Sequence, residues 1–110
     1  MISDNVTIID YGAFCGCDKL TNVTIGNKVS VIGGQTFDDC PKIKILDFRK
    51  STSIPALGGT NAFRGTPSNK EIIVPDSLYD NWIVAPNWSS SKNNIVNCIV
   101  KASHSSLGSL

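Results

Sequence analysis

The sequence of 110 residues is long enough for one domain. Its apolar fraction of 41% is sufficient for a hydrophobic core and excludes the composition of a disordered chain. A formal net charge of +1, with 17% charged residues and no basic stripe, argues against nucleic acid as a partner. No apolar run approaches the roughly 18 residues that cross a bilayer, so we expect no membrane insertion. The first residues also lack the pattern of a signal peptide.

The first five residues resemble the end of a sequence repeat, and further copies of that repeat follow along the chain. Ile2 to Val6 aligns with Ile25 to Val29, so the chain begins at the end of a strand from a preceding repeat. A solenoid normally begins with a cap that has a polar outer face, and none is recognisable here. Either the chain is a fragment, or another chain covers its open coil. We prefer the fragment, because uncapped ends promote aggregation, and keep self-association through this coil as an alternative interaction.

The repeat itself is a set of apolar positions that recur at one constant offset. The segment from Val6 to Ile25 reappears as Val29 to Phe48. The paired positions are Val6 and Val29, Ile9 and Ile32, Phe14 and Phe37, Cys17 and Cys40, Leu20 and Ile43, Val23 and Leu46, and Ile25 and Phe48. A fixed period of this length is typical of stacked-repeat proteins. We divide this part of the chain into repeats at 6–28 and 29–50.

Each repeat is predicted to contain a strand whose side chains alternate between core and surface. Val23 and Ile25 should face the core in the first repeat, and Leu46 and Phe48 should do so in the second. The outward positions are then Asn22 and Thr24, followed one coil later by Ile45 and Asp47.

A third, looser copy occupies residues 51–75. Phe63 and Pro67 follow Phe37 and Pro41 at an offset longer than the period of the first two copies, so this copy contains three extra residues. They fall between Ile54 and Phe63, in a segment rich in turn-forming residues. Insertions into solenoid loops cost little free energy, so we expect a loop that projects sideways. The outward positions of this repeat are Glu71 and Ile73.

The repeat pattern stops after residue 75, and residues 76–102 are predicted to form a helical C-terminal cap. Asp76 or Ser77 is a suitable N-cap residue, and Pro86 should end the helix. A β-rich run follows at residues 94–100. Trp82 and Trp88 both lie in this region, where large aromatic side chains can cover the last coil. We expect residues 103–110 to be a disordered tail.

Four cysteines, Cys15, Cys17, Cys40 and Cys98, would allow two disulfides in a small secreted domain. Cys17 and Cys40 occupy the same place in successive repeats and should stack in adjacent coils. We prefer a reduced, buried pair, because a small apolar residue explains both positions; a disulfide between them is the alternative. The spacing does not resemble a zinc site, and the only histidine, His104, lies in the Ser-rich tail.

The spaced positions give the pattern V-x-x-I-x-x-x-x-F-x-x-C-x-x-L-x-x-V-x-I, carried by residues 6–25 and, with substitutions, by 29–48. This pattern resembles the BspA-like, or Treponema-type, leucine-rich repeat. Residues 72–96 resemble the C-terminal cap of many bacterial and phage-encoded members. The resemblance implies a right-handed solenoid of short parallel strands. It also implies binding proteins that are secreted, displayed on cell surfaces or carried in phage particles, and it brings no catalytic residue.

No set of residues in the sequence suggests catalysis. Nucleophile–base arrangements usually need a histidine, and His104 is expected to be a solvated tail residue. Asp38 and Asp39 could be taken for a carboxylate pair, but at a repeat turn we expect a polar surface corner. The Gly-Gly pairs lack the pattern of a phosphate-binding loop. We therefore expect no enzymatic activity, no cofactor and no metal site.

Binding is better supported, because parallel strands in register present one set of outward side chains per coil. Ile45 and Ile73 are unusual on an outward face, which is normally polar. A small apolar patch with a charged rim would resemble a protein interface; alternatively, the isoleucines are only strand formers or are covered by a neighbouring element. The candidate partner-binding residues are Asn22, Thr24, Ile45, Asp47, Arg49, Glu71 and Ile73.

The sequence thus predicts a short right-handed leucine-rich-repeat solenoid of about three coils with a C-terminal helical cap. We expect adhesive recognition of a protein or a surface glycan through the strand face and adjoining loops. The location would be extracellular, on a cell surface or in a phage virion. The alternative is a structural spacer or assembly module of a larger cell-surface or virion protein.

Overall fold

The computed structural model describes residues 2–97. Cys98, His104 and the predicted tail lie outside these residues. The strands are β1 (Ile8–Ile9), β2 (Asn22–Thr24), β3 (Val31–Ile32), β4 (Ile45–Asp47), β5 (Ala56–Leu57), β6 (Glu71–Val74) and β7 (Ile95–Asn97). A short helix, α1, spans Tyr79–Trp82, and 3-10 turns span Thr60–Phe63, Asp76–Leu78 and Trp88–Asn94. The boundaries that we chose between repeats remain predictions.

The strands form two parallel sheets, one on each side of the coil. One sheet has three strands in the order β1-β3-β5, and the other has four in the order β2-β4-β6-β7. In the four-stranded sheet Val23 pairs with Leu46, Leu46 with Ile72, and Ile72 with Ile95. The first two pairs reproduce the offsets predicted for the second and third repeats. The chain is therefore a short solenoid whose coils stack in register.

The core consists of the repeated apolar positions, stacked coil upon coil. Phe14, Phe37 and Phe63 form a ladder with ring centroids 5.5 and 5.8 Å apart and planes within 3° of parallel. Ile25, Phe48 and their neighbours in the second coil are fully buried. The identical positions hold apolar side chains because each coil must bury its interior against the next.

The predicted pair of unbridged cysteines in adjacent coils is present, but only Cys40 is buried, whereas Cys17 is half-buried. Cys17 and Cys40 are free thiols, and Cys40 is fully buried. The Cys40 Sγ donates a hydrogen bond to the Phe14 carbonyl oxygen, 3.0 Å away. Burial raises the pKa of the Cys40 thiol, so the neutral form is favoured. In the third coil Thr66 takes the equivalent position, and its hydroxyl donates to the Phe63 carbonyl oxygen.

One corner of each coil requires a left-handed backbone conformation. Gly16, Asp39 and Gly65 occupy the same place in successive coils and have φ values of 76°, 58° and 74°. Glycine adopts this conformation without steric cost, and aspartate tolerates it better than most residues. The repeated corner turns the chain toward the four-stranded sheet in all three coils.

The expectation of a laterally projecting loop in the third repeat is wrong. Ala56–Leu57 forms β5, in which Ala56 pairs with Val31 and Leu57 with Ile32. Leu57 and Pro55 are buried. The extra residues are therefore divided, with two before β5 and one between β5 and Phe63. Splitting the insertion lets this segment keep its place in the sheet and bury its apolar side chains.

The C-terminal segment covers the last coil, as predicted, but with less helix. Asp76 begins a 3-10 turn with Pro75 at the N-cap position, so the predicted cap at Asp76 or Ser77 is wrong. The following α1 helix is only one turn long and ends at Trp82, well before Pro86. The rings of Trp82 and Trp88 lie 5.2 and 5.4 Å from Phe48, and Trp88 lies 5.8 Å from Phe63. The two tryptophans thus extend the aromatic stack beyond the third coil.

A buried lysine links this cap to the third coil. The Lys70 Nζ lies 3.4 Å from the Pro67 carbonyl oxygen, 3.5 Å from Asn94 Oδ1 and 5.7 Å from the centre of the Phe63 ring. The Asn94 amide donates in turn to the carbonyl oxygens of Ser68 and Lys70, at 2.7 and 3.0 Å. Burial lowers the pKa of the Lys70 ammonium group. The amide of Asn94 therefore acts as a clamp between cap and coil.

Candidate functional site

The outward side of the four-stranded sheet carries the residues that the sequence predicted to face a partner. Asn22, Ile45 and Glu71 form one row across β2, β4 and β6, because each pairs with the next in strand register. Thr24, Asp47 and Ile73 form the second row. We call these two rows the strand face. Asn22 and Arg49 are exposed, and Thr24, Ile45, Asp47 and Glu71 are half-buried.

Ile73 does not belong to an accessible patch, contrary to the sequence prediction. Its exposed fraction is only 3%. Its register neighbours, Asp47 and Val96, flank it on both sides, and Arg49 shares a shallow depression with it. Of the two isoleucines predicted to face outward, only Ile45 is therefore accessible. Ile73 is covered by its neighbours, which was the alternative interpretation of these two residues.

Of the two acidic side chains on this face, Asp47 is already neutralised within the chain by Arg49. Arg49 Nε lies 3.0 Å from Asp47 Oδ1 and Nη2 lies 2.7 Å from Oδ2, and the Arg49 backbone N–H donates to Oδ1 at 3.0 Å. Burial alone would raise the pKa of Asp47, but these hydrogen bonds and the Arg49 charge outweigh it and hold the pKa below its usual value. The pair presents a guanidinium to solvent in a fixed orientation, rather than a free carboxylate.

Ile45 is the point at which two depressions of the strand face meet. One has a volume of about 280 Å³ and also contacts Thr24, Asp47 and Arg49. The other is a groove of about 680 Å³ that continues past Glu71 toward Pro41 and Pro67. A half-buried aliphatic side chain between two concave areas is suited to contact with a partner, because the partner can bury apolar surface there while polar side chains stay at the rim.

Asp38 is part of an ion pair between coils, which sequence reasoning missed. The prediction of a polar surface corner holds for exposed Asp39 but is wrong for Asp38, which is buried. Arg64, in the next coil, contacts it through two hydrogen bonds, with Nε–Oδ1 at 3.1 Å and Nη2–Oδ2 at 2.6 Å. Hydrogen bonding to Asp38, with its charge, raises the pKa of Arg64. Asp38 and Arg64 have the same separation in the sequence as Phe37 and Phe63. This shared separation could have predicted the ion pair.

A second outward row was also missed, on the three-stranded sheet. Ile8, Val31 and Ala56 pair in register and are all exposed, with exposed fractions of 56% for Ile8 and 38% for Val31. Tyr11 lies just beyond β1 and is 69% exposed. This row could have been predicted from the sequence. Side chains alternate along a strand, so Ile8 and Val31 must point outward when the adjacent Ile9 and Ile32 point inward.

Within residues 2–97, no group of histidine, cysteine and acidic side chains is arranged to hold a metal ion. The same part of the chain contains no helix with the length and apolar character needed to span a membrane.

The two parallel sheets and the stacked coils define a repeat protein of the solenoid class. A family model described as a BspA type leucine-rich repeat region, of six copies, matches residues 1–108. The chain belongs to this BspA-type leucine-rich-repeat family, and the sequence prediction of the family is confirmed. Comparison with curated proteins gave no match, and comparison with solved structures gave none either.

Proposed function

We propose that this protein is a non-enzymatic binding module that recognises a protein or a glycan through the strand face. The observation that supports the proposal most directly is the fixed register of Asn22, Ile45 and Glu71 beside Thr24 and Asp47. Their backbone positions are set by a rigid ladder, while their side chains differ from coil to coil. Such a surface can be specific for a partner without changing the core, and repeat families are used as interaction surfaces in this way.

The proposed role is adhesive, and the proposed location is outside the cell, on a cell surface or in a phage particle. Membership of the BspA-type family supports this location, since proteins of this family are typically displayed on surfaces or extracellular. Interface cores are depleted in charge and rich in apolar contact, so Ile45 should form the centre and the guanidinium of Arg49 the rim.

The test uses a matched pair of substitutions on the two sheets. The wild-type chain, Ile45→Ser and Val31→Ser are applied to protein and glycan arrays. We expect the wild type and Val31→Ser to bind the same array member and Ile45→Ser to lose at least tenfold in affinity. Thermal unfolding of both variants controls for folding. Retention of binding by Ile45→Ser together with its loss in Val31→Ser would reject the strand face and implicate the three-stranded sheet.

A second candidate function is a structural spacer or assembly module of a larger surface or virion protein. The first coil supports it, since Ile2, Val6 and Phe14 are half-buried whereas the equivalent Ile25, Val29 and Phe37 are buried. These side chains border a depression of about 370 Å³. We propose that another coil of the same type packs here, either in an assembly or in a second copy of this chain.

Sedimentation velocity over a range of concentrations tests the second-copy form of this candidate. A self-associating chain should sediment faster as the concentration rises, and Val6→Asp should abolish the change because it places a charge in the contact. A constant monomeric sedimentation coefficient at high concentration would reject self-association through this coil.

A further inference from the structure

The groove beside Ile45 lies where the backbone ladder between the second and third coils is interrupted. Two backbone hydrogen bonds flank the interruption. On one side the Asp39 N–H donates to the Arg64 carbonyl oxygen, and on the other the Glu71 N–H donates to the Lys44 carbonyl oxygen. Between these bonds lie Pro41 and its counterpart, Pro67, and proline has no N–H to donate. The resulting groove has a volume of about 680 Å³, within the range of about 300–1,000 Å³ that is usual for ligand sites.

The apolar part of the groove lining is aliphatic, and the polar part consists of Thr21, Lys42, Lys44, Asn69 and Glu71. Ile45 provides branched aliphatic surface, Ile43 is a buried member of the lining, and Pro41 and Pro67 contribute ring surface. No aromatic side chain of the described residues lines it. An aliphatic lining without an aromatic platform is better suited to an aliphatic side chain of a peptide than to the flat face of a sugar ring.

The charge of the groove is set by two lysines that have no ion-pair partner within residues 2–97. Three other cations are paired inside the chain: Arg49 with Asp47, Lys50 with Asp4 and Arg64 with Asp38. Lys42 and Lys44 are exposed and line the groove.

The other charged groups near the groove do not cancel the positive charge of its lining. Lys19 is exposed and occupies the position of Lys42 in the preceding coil. Its neighbour Asp18 stands one coil before Pro41, and Glu71 is the acidic residue that lines the groove itself. Two lysines against one glutamate make the lining cationic, and electrostatic complementarity then favours an anionic partner.

We propose that this groove binds an acidic polypeptide segment, with an aliphatic side chain packed on Ile45 and flanking carboxylates close to Lys42 and Lys44. The proposal rests on the proposed binding function and specifies the chemistry of its partner. A peptide rather than a polysaccharide follows from the aliphatic lining, and acidic rather than basic character follows from the two lysines.

The test measures binding of three fluorescein-labelled heptapeptides by fluorescence anisotropy at low salt. One alternates glutamate with leucine, the second replaces glutamate with lysine, and the third replaces leucine with glycine. We expect the first to bind at least tenfold more tightly than the other two, and 0.5 M salt to weaken it strongly, because the contact is partly electrostatic. Equal binding of the acidic and basic peptides would overturn the proposal.

Charge substitutions then locate the site. The double variant Lys42→Glu and Lys44→Glu should reduce binding of the acidic peptide at least tenfold, and Lys42→Gln with Lys44→Gln should reduce it less. The control double variant Lys28→Glu and Lys92→Glu, at exposed lysines outside the groove, should bind as the wild type does. Circular dichroism shows whether each variant is folded. An unchanged affinity in the Lys42 and Lys44 variants would overturn the assignment to this groove.

Two further outcomes separate this inference from the proposed function. If polygalacturonate, an acidic polysaccharide, displaces the peptide and the leucines prove unnecessary, the site recognises charge alone and the peptide assignment is wrong. If the array ligand loses affinity for Ile45→Ser but not for the Lys42 and Lys44 charge-reversal variant, the groove inference is rejected while the strand-face function stands.

Discussion

At the scale of single residues, the phenylalanine ladder shows that equivalent positions in different coils should contribute differently to the free energy of unfolding. Phe37 is fully buried and stacks between Phe14 and Phe63, whereas Phe14 is half-buried and, among residues 2–97, stacks only on Phe37. The two side chains are chemically identical and occupy equivalent sites. Their contributions to stability should therefore differ because of the neighbouring coils and not because of the local sequence.

Phe37→Ala should lower the free energy of unfolding by about 3–5 kcal/mol, the usual cost of removing a buried phenylalanine side chain. Phe14→Ala should cost clearly less, since part of its ring is already in water. Urea denaturation followed by circular dichroism measures both. Tyr11→Ala, at an exposed ring, is the control and should change stability little. Equal losses for Phe37→Ala and Phe14→Ala would contradict the stacking order.

The Asp47–Arg49 pair predicts a pH dependence with a definite sign. Since the folded-state pKa of Asp47 lies below its unfolded value of about 4, the ionised form is favoured by folding. The resulting stability is present above that unfolded pKa and is lost as the pH falls through the lower folded pKa. Denaturation of the wild type and Asp47→Asn between pH 7 and pH 2 measures it. The difference between the two proteins should shrink toward acid pH; a constant difference would contradict the prediction.

At the scale of elements, the cap shows where sequence reasoning succeeds and where it stops. The placement of Trp82 and Trp88 over the last coil followed from their size and from the end of the repeat. The N-cap prediction failed because Pro75, with an extended backbone, already begins the turn. The single-turn length of α1 was not predictable from its apolar spacing, which also fits a helix that continues to Pro86; its last residue, Trp82, packs against Phe48.

The hydrogen bonds of Asn94 should contribute to the stability with which the cap is held on the third coil. Its side-chain amide donates to the Ser68 and Lys70 carbonyl oxygens, and removing it leaves those acceptors without this donor. Asn94→Ala should therefore lower the free energy of unfolding by about 1–3 kcal/mol. The adjacent Asn93 is exposed, so Asn93→Ala is the matched control and should have little effect. Urea denaturation of both variants gives the comparison, and equal stability of the two would exclude the clamp.

The sheets show why the strand face was only partly predictable. The repeat offset placed the rows Asn22, Ile45, Glu71 and Thr24, Asp47, Ile73 correctly, because parallel strands in register follow from the period. It did not indicate the burial of Ile73, which depends on neighbours such as Val96 in the irregular cap. The charge pairing of Asp47 with Arg49 was likewise missed, because the sequence alone does not show which side chains turn toward one another.

At the scale of the whole molecule, the first coil and the C-terminal segment differ chemically. The C-terminal end is covered by Trp82, Trp88 and β7, and the first coil presents half-buried apolar side chains. Between them, the two sheets offer distinct outward surfaces, one with Ile45 among polar residues and one with Ile8 and Val31. The binding proposal is therefore tested by asking which of these two outward surfaces contacts the partner.

The most direct test of the strand-face function is amide chemical-shift mapping of the ¹⁵N-labelled chain with the ligand found on the arrays. We predict that the largest shifts fall in β2, β4 and β6, at residues 22–24, 45–49 and 71–73. Residues 8–9, 31–32 and 56–57, on the opposite sheet, should change little and serve as the internal control. Shifts concentrated on β1, β3 and β5, with β2, β4 and β6 unaffected, would contradict recognition through the strand face.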